Sequence, residues 1–335
     1  YQSDDDTFTV EYGTDGMTLA ITYMNATQGW VPTIDEAVTD VPSKGNSEGI
    51  FGYGQEPTPY SSLTNLVSNV GVVATDVTGV GKARSNLSAC EYGGDKGIFG
   101  FGYGDPSARL STTNLVSNTG VVGTDVTGVG TVRSALAACD YGGDKGIFAF
   151  GRVSGSPNTA SMSNLVSNAG VVSTDVTGVG TARYSVVGCE YGGDKGIIGF
   201  GHDASGDLSM TNLVSNAGVV ATDTTGVGTV RQKVGACGYG YDKGIFAYGW
   251  DPSAASMSNL VSNAGVVATD VTGVGTARGE PAATQYGYDK GIFGFGHDGS
   301  NYVSMTNLVS NAGVVATDVT GVGSVRGSLA ACSFN

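Results

Sequence analysis

The sequence lacks most of what helices, metal sites and membrane spans require. No run of about 18 apolar residues could cross a bilayer. No stretch of ten residues escapes glycine while keeping a 3.6-residue hydrophobic period, which excludes helical solenoids. The only two histidines, His202 and His297, have no neighbouring His or Cys to complete a zinc site. We therefore expect no metal, no cofactor and no membrane insertion.

Basic residues are also scarce. Sixteen Lys and Arg oppose thirty Asp and Glu, which gives a formal net charge of −14. Proteins bind nucleic acid by neutralising its phosphates with cations, so a nucleic-acid partner is not expected. The acidic first residues lack the basic end and apolar stretch of a signal peptide, and the chain does not begin with Met. We expect a processed chain or the C-terminal part of a longer one.

Glycine is abundant, with 56 residues, and it punctuates an internal repeat. The motif Thr-Asp-x-Thr-Gly-Val-Gly recurs every 47 to 50 residues. Repeats of that length indicate a solenoid, a propeller or an array. Each unit consists of short β-branched or aromatic segments that end in Gly, Asn or Asp, a pattern typical of strands and turns. The marker aspartates are Asp76, Asp125, Asp175, Asp223, Asp270 and Asp318.

Four strands in about 48 residues, repeated six times, predict an all-β fold: a six-bladed β-propeller with four strands per blade. The order of a small-residue strand, a Tyr-Gly turn and Ile-Phe-Gly-Phe-Gly resembles the kelch or galactose-oxidase type of propeller. Two departures from that pattern are Gly-Phe-Gly in place of the double glycine and Val-Val-x-Thr-Asp in place of the last-strand aromatic. The propeller is expected over residues 48–335, with repeats beginning near 48, 96, 145, 195, 243 and 290.

The phase of the repeat predicts how the propeller closes. The first copy opens at residues 49–54 without a preceding small-residue strand, and the sixth ends in such a strand with nothing after it. We therefore expect the C-terminal segment 328–334 to pair with 49–54 and complete the first blade, which leaves no open sheet edge.

Residues 1–47 differ from the repeats and are predicted to be a small N-terminal β segment. Candidate strands lie at 7–12 and 17–24, and the segment 28–32 and a polar linker to residue 46 follow them. The run at residues 19–30 resembles segments of phage tail-fibre and virion-surface proteins that precede their terminal domains. This resemblance implies an adaptor to other virion proteins or to a further part of the chain. The alternative is a hairpin that packs on the propeller.

Positions that are fixed among the copies are charge-balanced. They carry eleven Lys and Arg and eleven Asp, so the net charge comes from residues 1–47, with eight acids and one Lys, and from the variable positions. Six equivalent Asp–Arg pairs favour a packing role over a ring of cation or catalytic sites. One Cys per unit, with Thr284 in the fifth, matches neither a metal pattern nor a disulfide framework and predicts buried free thiols.

Two sets of positions vary among the copies, one after the Gly-Phe-Gly strand and one after the fixed Arg. Because strands alternate in direction, both sets should emerge on one face of the propeller. Loops on a rigid scaffold commonly carry binding sites, and these loops offer aromatic, imidazole and carboxylate groups suited to sugars. The alternative is drift in exposed loops. The candidate ligand-binding residues are Tyr60, Tyr103, Asp105, Arg109, Arg152, His202, Asp203, Trp250, Asp251, His297, Asp298 and Tyr302.

These patterns predict a non-enzymatic binding or structural module of a virion-surface or tail-fibre protein that recognises a host-cell glycan. We expect the protein to lie at an extracellular virion surface. There, residues 1–47 would attach it to other virion proteins, and the attached form would be an oligomer. One alternative is a glycan hydrolase or lyase that uses loop acids such as Asp203, Asp251 and Asp298. The other is a capsid or filament subunit without a ligand.

Overall fold

The computed structural model describes residues 21–25, 29–32, 46–57 and 60–335. These residues form strands, turns and loops without a helix, so they contain no helical segment that could cross a membrane. The all-β class is therefore confirmed for the described part of the chain. The chain divides into two units, Tyr1–Ser43 and Lys44–Asn335.

The strands have the following bounds: β1 Ile21–Asn25, β2 Gly29–Pro32, β3 Glu48–Gly52, β4 Thr64–Val67, β5 Arg84–Ser85, β6 Ser88–Tyr92, β7 Lys96–Gly100, β8 Tyr103–Gly104, β9 Ala108–Arg109, β10 Thr113–Val116, β11 Ala137–Tyr141, β12 Lys145–Arg152, β13 Thr159–Val166, β14 Val187–Tyr191, β15 Lys195–Gly199, β16 His202–Asp203, β17 Gly206–Asp207, β18 Thr211–Val214, β19 Gly235–Tyr239, β20 Lys243–Ala247, β21 Ser258–Val261, β22 Ala282–Tyr286, β23 Lys290–His297, β24 Tyr302–Val309 and β25 Ala330–Phe334.

In the first unit, β1 and β2 form an antiparallel hairpin in which Ile21 pairs with Pro32 and Tyr23 with Trp30. The sequence did not assign a strand to the segment that forms β2. Of the strand expected at 17–24, only residues 21–24 are described, and they belong to β1. The strand expected at 7–12 lies outside the described residues.

The described residues of the second unit form six main antiparallel sheets of three strands each, and the first strand of sheet I comes from the C-terminal end of the chain. We name them sheet I (β25-β3-β4), II (β6-β7-β10), III (β11-β12-β13), IV (β14-β15-β18), V (β19-β20-β21) and VI (β22-β23-β24). Two smaller sheets, β5-β8-β9 and β16-β17, form in the variable loops.

The expected fourth strand of each sheet is reduced to two isolated bridges, so four regular strands per repeat is wrong. In sheet I, Val77 bridges Thr64 and Val73 bridges Val67. Between the bridges, the Asn65 side chain donates to the Ala74 carbonyl at 3.0 Å and to Asp76 Oδ1 at 2.9 Å. The asparagine side chain thus occupies a backbone carbonyl that would otherwise accept a hydrogen bond from the neighbouring strand.

The C-terminal strand completes sheet I as predicted. β25 pairs antiparallel with β3, from Ala330 opposite Gly52 to Phe334 opposite Glu48. The strand is two residues shorter than the expected segment, because Ser328 has a left-handed backbone with φ 52° and lies in the turn before the strand. The first and last parts of the second unit therefore share one sheet.

Apolar side chains from consecutive sheets form six buried clusters. Phe101 of sheet II, for example, lies 5.1 Å from Phe148 of sheet III, measured between ring centroids. A further cluster joins Phe51 of sheet I to Phe295 of sheet VI at 5.2 Å. The first strands of the sheets also contact one another in the order β6, β11, β14, β19, β22 and β25, and β25 contacts β6.

The cysteines fill gaps left by glycines of the next sheet. A Cβ atom at Gly97 of sheet II would lie 2.3 Å from Sγ of Cys332 in sheet I, and one at Gly146 would lie 2.4 Å from Sγ of Cys90. Thr284 takes the same place against Gly49. The five thiols are free and buried, and burial raises the pKa of Cys237 to about 12. A packing role accounts for one thiol per repeat.

We predict that Gly97→Ala destabilises the protein by about 1–3 kcal/mol, because the added methyl group overlaps the Cys332 thiol. The double variant Gly97→Ala, Cys332→Ala should regain most of that loss, since the Cys332 Cβ would lie 3.4 Å from the new methyl group. Urea unfolding of the wild type, the two single variants and the double variant measures the coupling. Additive single losses would contradict the proposed packing.

Candidate functional site

The two sets of variable positions lie together, as the alternation of strand directions predicts. In each repeat, the residue after the fixed Arg forms a backbone pair with a residue at or just after the end of the second strand of a main sheet. These antiparallel pairs are Gln55 with Gly327, Ser85 with Tyr103, Ser134 with Arg152, Tyr184 with His202, Gln232 with Trp250 and Gly279 with His297. We call the surface formed by these pairs and the adjoining loops the variable face.

A rim of six residues lines the inner edge of the variable face. Each has a left-handed backbone, with φ between 52° and 61°, and each N–H donates to the carbonyl of its counterpart in the preceding repeat at 2.7–3.2 Å. A left-handed backbone is uncommon for residues other than glycine, so the hydrogen bonds between repeats hold a strained conformation. The rim residues are Asn86, Ala135, Ser185, Lys233, Glu280 and Ser328.

One group of candidate residues forms an arc of rings and cations. Tyr60 and Tyr103 have ring centroids 6.1 Å apart, and the Arg109 guanidinium lies 6.0 Å from the Tyr103 ring centroid. The Arg152 guanidinium lies 5.2 Å from the ring of Tyr184. Arg152 is exposed, and the other four side chains are half-buried. The arc spans loops of sheets I to IV.

Tyr184 was not predicted from the sequence, and it extends this arc to His202. The two ring centroids lie 5.4 Å apart. Nδ1 of His202 lies 2.6 Å from Oδ1 of Asp207, a second residue that the sequence did not single out. Both Tyr184 and Asp207 belong to variable positions, so the variation among copies was the signal that could have found them.

A second group of candidate residues gathers on sheets V and VI. The ring centroids of Trp250 and His297 lie 6.5 Å apart, and those of His297 and Tyr302 lie 5.0 Å apart. The indole runs beside two glycines, since Cβ atoms at Gly279 and Gly299 would lie 3.4 Å and 3.6 Å from its carbon atoms. The half-buried Trp250 ring therefore packs against the backbone of two glycines, which have no side chains there.

The acidic candidates play different roles in the loops. Asp203 accepts a backbone hydrogen bond from Ser205 at 2.7 Å. Asp298 accepts from the N–H groups of Asn301 and Ser300, and these bonds lower the pKa of its carboxyl group. A carboxylate held ionised in this way can accept hydrogen bonds from sugar hydroxyls. Asp251 is half-buried and Asp105 is exposed.

Each fixed Arg belongs to a buried network that joins two sheets. Arg183 has no exposed surface, stacks 4.4 Å from the ring centroid of Phe150 in sheet III, and donates to Oδ1 of Asn212 in sheet IV at 2.7 Å. Asn212 in turn donates to Asp223 at 2.9 Å. These contacts are those of a packing role, as the sequence indicated for the six Asp–Arg pairs.

A narrow channel lies between the six first strands, and the sequence did not single out the carboxyl groups that line it. A cavity of about 120 Å³ lies beside the rim, and a second of about 50 Å³ lies deeper. Both are lined by residues from all six sheets. The deeper cavity holds three carboxyl groups, those of Glu91, Asp140 and Glu190, at the variable position that follows each Cys.

These channel carboxyl groups have raised pKa values. The surrounding protein removes water from all three, and the Asp140 carboxyl group further raises the pKa of Glu91 and of Glu190. Glu190 and Asp140 share a hydrogen bond, and Gln285 donates to Glu190 at 3.4 Å. No group of three or more His, Cys, Asp and Glu side chains within the described residues could hold a metal ion.

No protein-family model and no curated protein matches this chain.

Proposed function

We propose that the six sheets are the blades of a closed six-bladed propeller of the kelch type. Three series of contacts support this proposal, because each links successive repeats and also joins the last repeat to the first. The first strands contact each other from β6 to β25 and back to β6. The rim hydrogen bonds run from repeat to repeat, and Asn86 N–H donates to the Ser328 carbonyl to complete the set. The small residues at Cys positions reach the next sheet in all six repeats, including Thr284 against Gly49.

We infer that this propeller is a non-enzymatic binding module that recognises a host-cell surface glycan through its variable face. The observation that carries this proposal is the contrast between two sets of residues. The buried Arg networks repeat six times with nearly the same geometry, whereas the paired variable positions assemble rings, cations and carboxylates on one surface. Aromatic faces and ionised carboxylates are the groups that stack on sugar rings and bind their hydroxyls.

The tail-fibre resemblance of residues 19–30 supports a place on a virion. In this proposal, residues 1–47 join the propeller to other virion proteins, and the variable face binds the host cell. The protein then acts outside the host cell as an attachment module. The acidic surface is compatible with a sugar ligand, because neutral sugars bind through stacking and hydrogen bonds and do not need a basic patch.

We predict that Trp250→Ala combined with Tyr302→Ala lowers glycan or host-cell binding at least about tenfold, because aromatic anchors usually dominate small interfaces. The stability cost should be about 1 kcal/mol, since both rings are half-buried. A glycan array and a cell-binding assay measure the effect. The matched control is Tyr241→Ala with Tyr288→Ala, which removes two exposed rings from the turns at the opposite ends of the strands.

Equal binding by the wild type and the Trp250, Tyr302 double variant would overturn the glycan proposal. An equal loss in the Tyr241, Tyr288 control would also overturn it, since that result assigns binding to the opposite face. If the wild type binds neither cells nor any glycan, the propeller is a structural subunit.

A further inference from the structure

Two arginines of the variable face differ from the other arginines of the chain. The six fixed Arg side chains belong to the buried networks with Asn and a marker Asp. Arg109 and Arg152 stand outside these networks, and neither forms a salt bridge with a carboxylate of the described residues.

The Arg109 side chain extends from its own loop to the neighbouring loop that follows Arg152. Arg109 reaches from sheet II to the loop of sheet III, where its Nη1 donates to Oγ of Ser154 at 3.3 Å. Ser154 lies two residues after Arg152. Burial lowers the pKa of Arg109, and the positive charge of Arg152 lowers it further.

Arg109 also retains an unused donor. Among the described residues its buried Nε has no hydrogen-bond partner, as is also the case for the Nε of four fixed arginines, Arg84, Arg133, Arg231 and Arg326. Leaving a buried donor unsatisfied costs about 1–3 kcal/mol, more for a charged group, and placing two like charges together adds repulsion. An anion bound between the two arginines would relieve the repulsion and offer acceptors to both guanidinium groups.

The surroundings favour an anionic sugar over a free ion. Each guanidinium lies over a tyrosine, Arg109 over Tyr103 and Arg152 over Tyr184. Guanidinium groups bind carboxylate and sulfate oxygens in pairs, and a tyrosine ring beside them offers an apolar face for a sugar ring. Because charges farther away than about 8 Å are largely screened at physiological salt, the net charge of the chain does not prevent such binding.

We propose that Arg109, Arg152 and Ser154 form a subsite for the anionic group of an acidic sugar, either a carboxylate or a sulfate ester. This subsite rests on the proposed glycan-binding function, and it specifies the class of ligand that the variable face binds. Trp250 and Tyr302 would then hold neutral parts of the same glycan or a separate residue of it.

The test is an NMR titration of the full chain that follows the Arg Nε–Hε signals. Sodium D-glucuronate, inorganic sulfate and D-glucose are the three probes. We expect glucuronate or sulfate to shift the signals of Arg109 and Arg152, and glucose to leave them unchanged. The tighter of the two anions identifies the source of the charge. Arg152→Gln should weaken anion binding about tenfold or more, because it removes charge-assisted hydrogen bonds.

Lys82→Gln is the matched control, since it removes one positive charge from an exposed position two residues before the fixed Arg84. It should leave anion binding unchanged. If neither anion shifts the two Arg signals, or if Lys82→Gln weakens binding as much as Arg152→Gln, the subsite is wrong.

A glycan array with wild type and Arg152→Gln separates this subsite from the proposed function. Binding of neutral glycans alone, unaffected by Arg152→Gln, would overturn the subsite and leave glycan recognition standing. Anion shifts at Arg109 and Arg152 without binding of any glycan would overturn glycan recognition and leave an anion site.

Discussion

A chain that ends at residue 327 is expected to lose cooperative unfolding. The deletion removes β25, which is the first strand of sheet I and contacts both β22 and β6. It also removes Leu329, Cys332 and Phe334 from the buried clusters. A buried side chain of this kind contributes about 1.5–3 kcal/mol. The loss is therefore of the same order as the roughly 5–15 kcal/mol that stabilises a typical protein.

Differential scanning calorimetry of the truncated chain measures this effect. Adding a synthetic peptide of residues 328–335 should restore a cooperative transition, because the peptide can pair with the free edge of β3. A control truncation that removes Asn335 alone should keep a cooperative transition, since it loses only two backbone hydrogen bonds. A 327-residue chain that melts like the full protein would show that β25 does not complete the fold.

Replacing the channel carboxyl groups is expected to stabilise the protein at neutral pH. The folded-state pKa of Glu91, Asp140 and Glu190 is raised above its unfolded value. The stability linked to these groups is fully present below the unfolded pKa of about 4 and is lost as pH rises through the folded pKa. The cost at neutral pH is about 1.4 kcal/mol for each unit of pKa difference. The triple variant Glu91→Gln, Asp140→Asn, Glu190→Gln should avoid this cost.

The measurement is the free energy of unfolding between pH 4.5 and 8. The wild type should lose stability as the pH rises, and the triple variant should show a much flatter profile. A control that removes three loop acids, Glu56→Gln, Asp105→Asn and Asp251→Asn, should keep the wild-type slope. Parallel profiles for the wild type and the channel variant would contradict the account of the channel.

Five of the marker aspartates, all with lowered pKa values, give the opposite dependence at lower pH. Burial alone would raise the pKa of Asp76, but hydrogen bonds from Asn65 and Ser324 outweigh burial and lower it. Asp175, Asp223, Asp270 and Asp318 have lowered pKa values for the same kind of reason. Their stabilisation is present above a pH of about 4 and is lost as pH falls. The wild type and the triple channel variant should therefore both lose stability as the pH falls below about 4.

The sequence predicted features that follow from repetition and strand alternation. The phase of the repeat indicated that the C-terminal segment pairs with the strand at residue 49, and β25 pairs with β3. Alternating strand directions indicated that both variable sets share a surface, and pairs such as Tyr184 with His202 confirm it. Neither inference needs the position of a side chain.

Two of the features that the sequence did not predict depend on contacts between repeats, and a third has a local cause. Gln285 and Glu190 lie 95 positions apart, and they meet only because the first strands surround one channel. The fourth strand is absent for a local reason, because the Asn65 side chain donates to the Ala74 carbonyl, which a regular strand ladder would use. The approach of Arg109 to the loop of Arg152 likewise depends on the spacing between neighbouring sheets. Strand patterns alone do not fix these side-chain positions.

A density map of the protein with a bound glycan tests the central claim most directly, because it shows the number of blades and the place of the ligand together. The proposal predicts a closed ring of six sheets around the channel, with sugar density over the variable face near Trp250 or between Arg109 and Arg152. An open arc of sheets, or sugar density at the turns that contain Tyr241 and Tyr288, would contradict it.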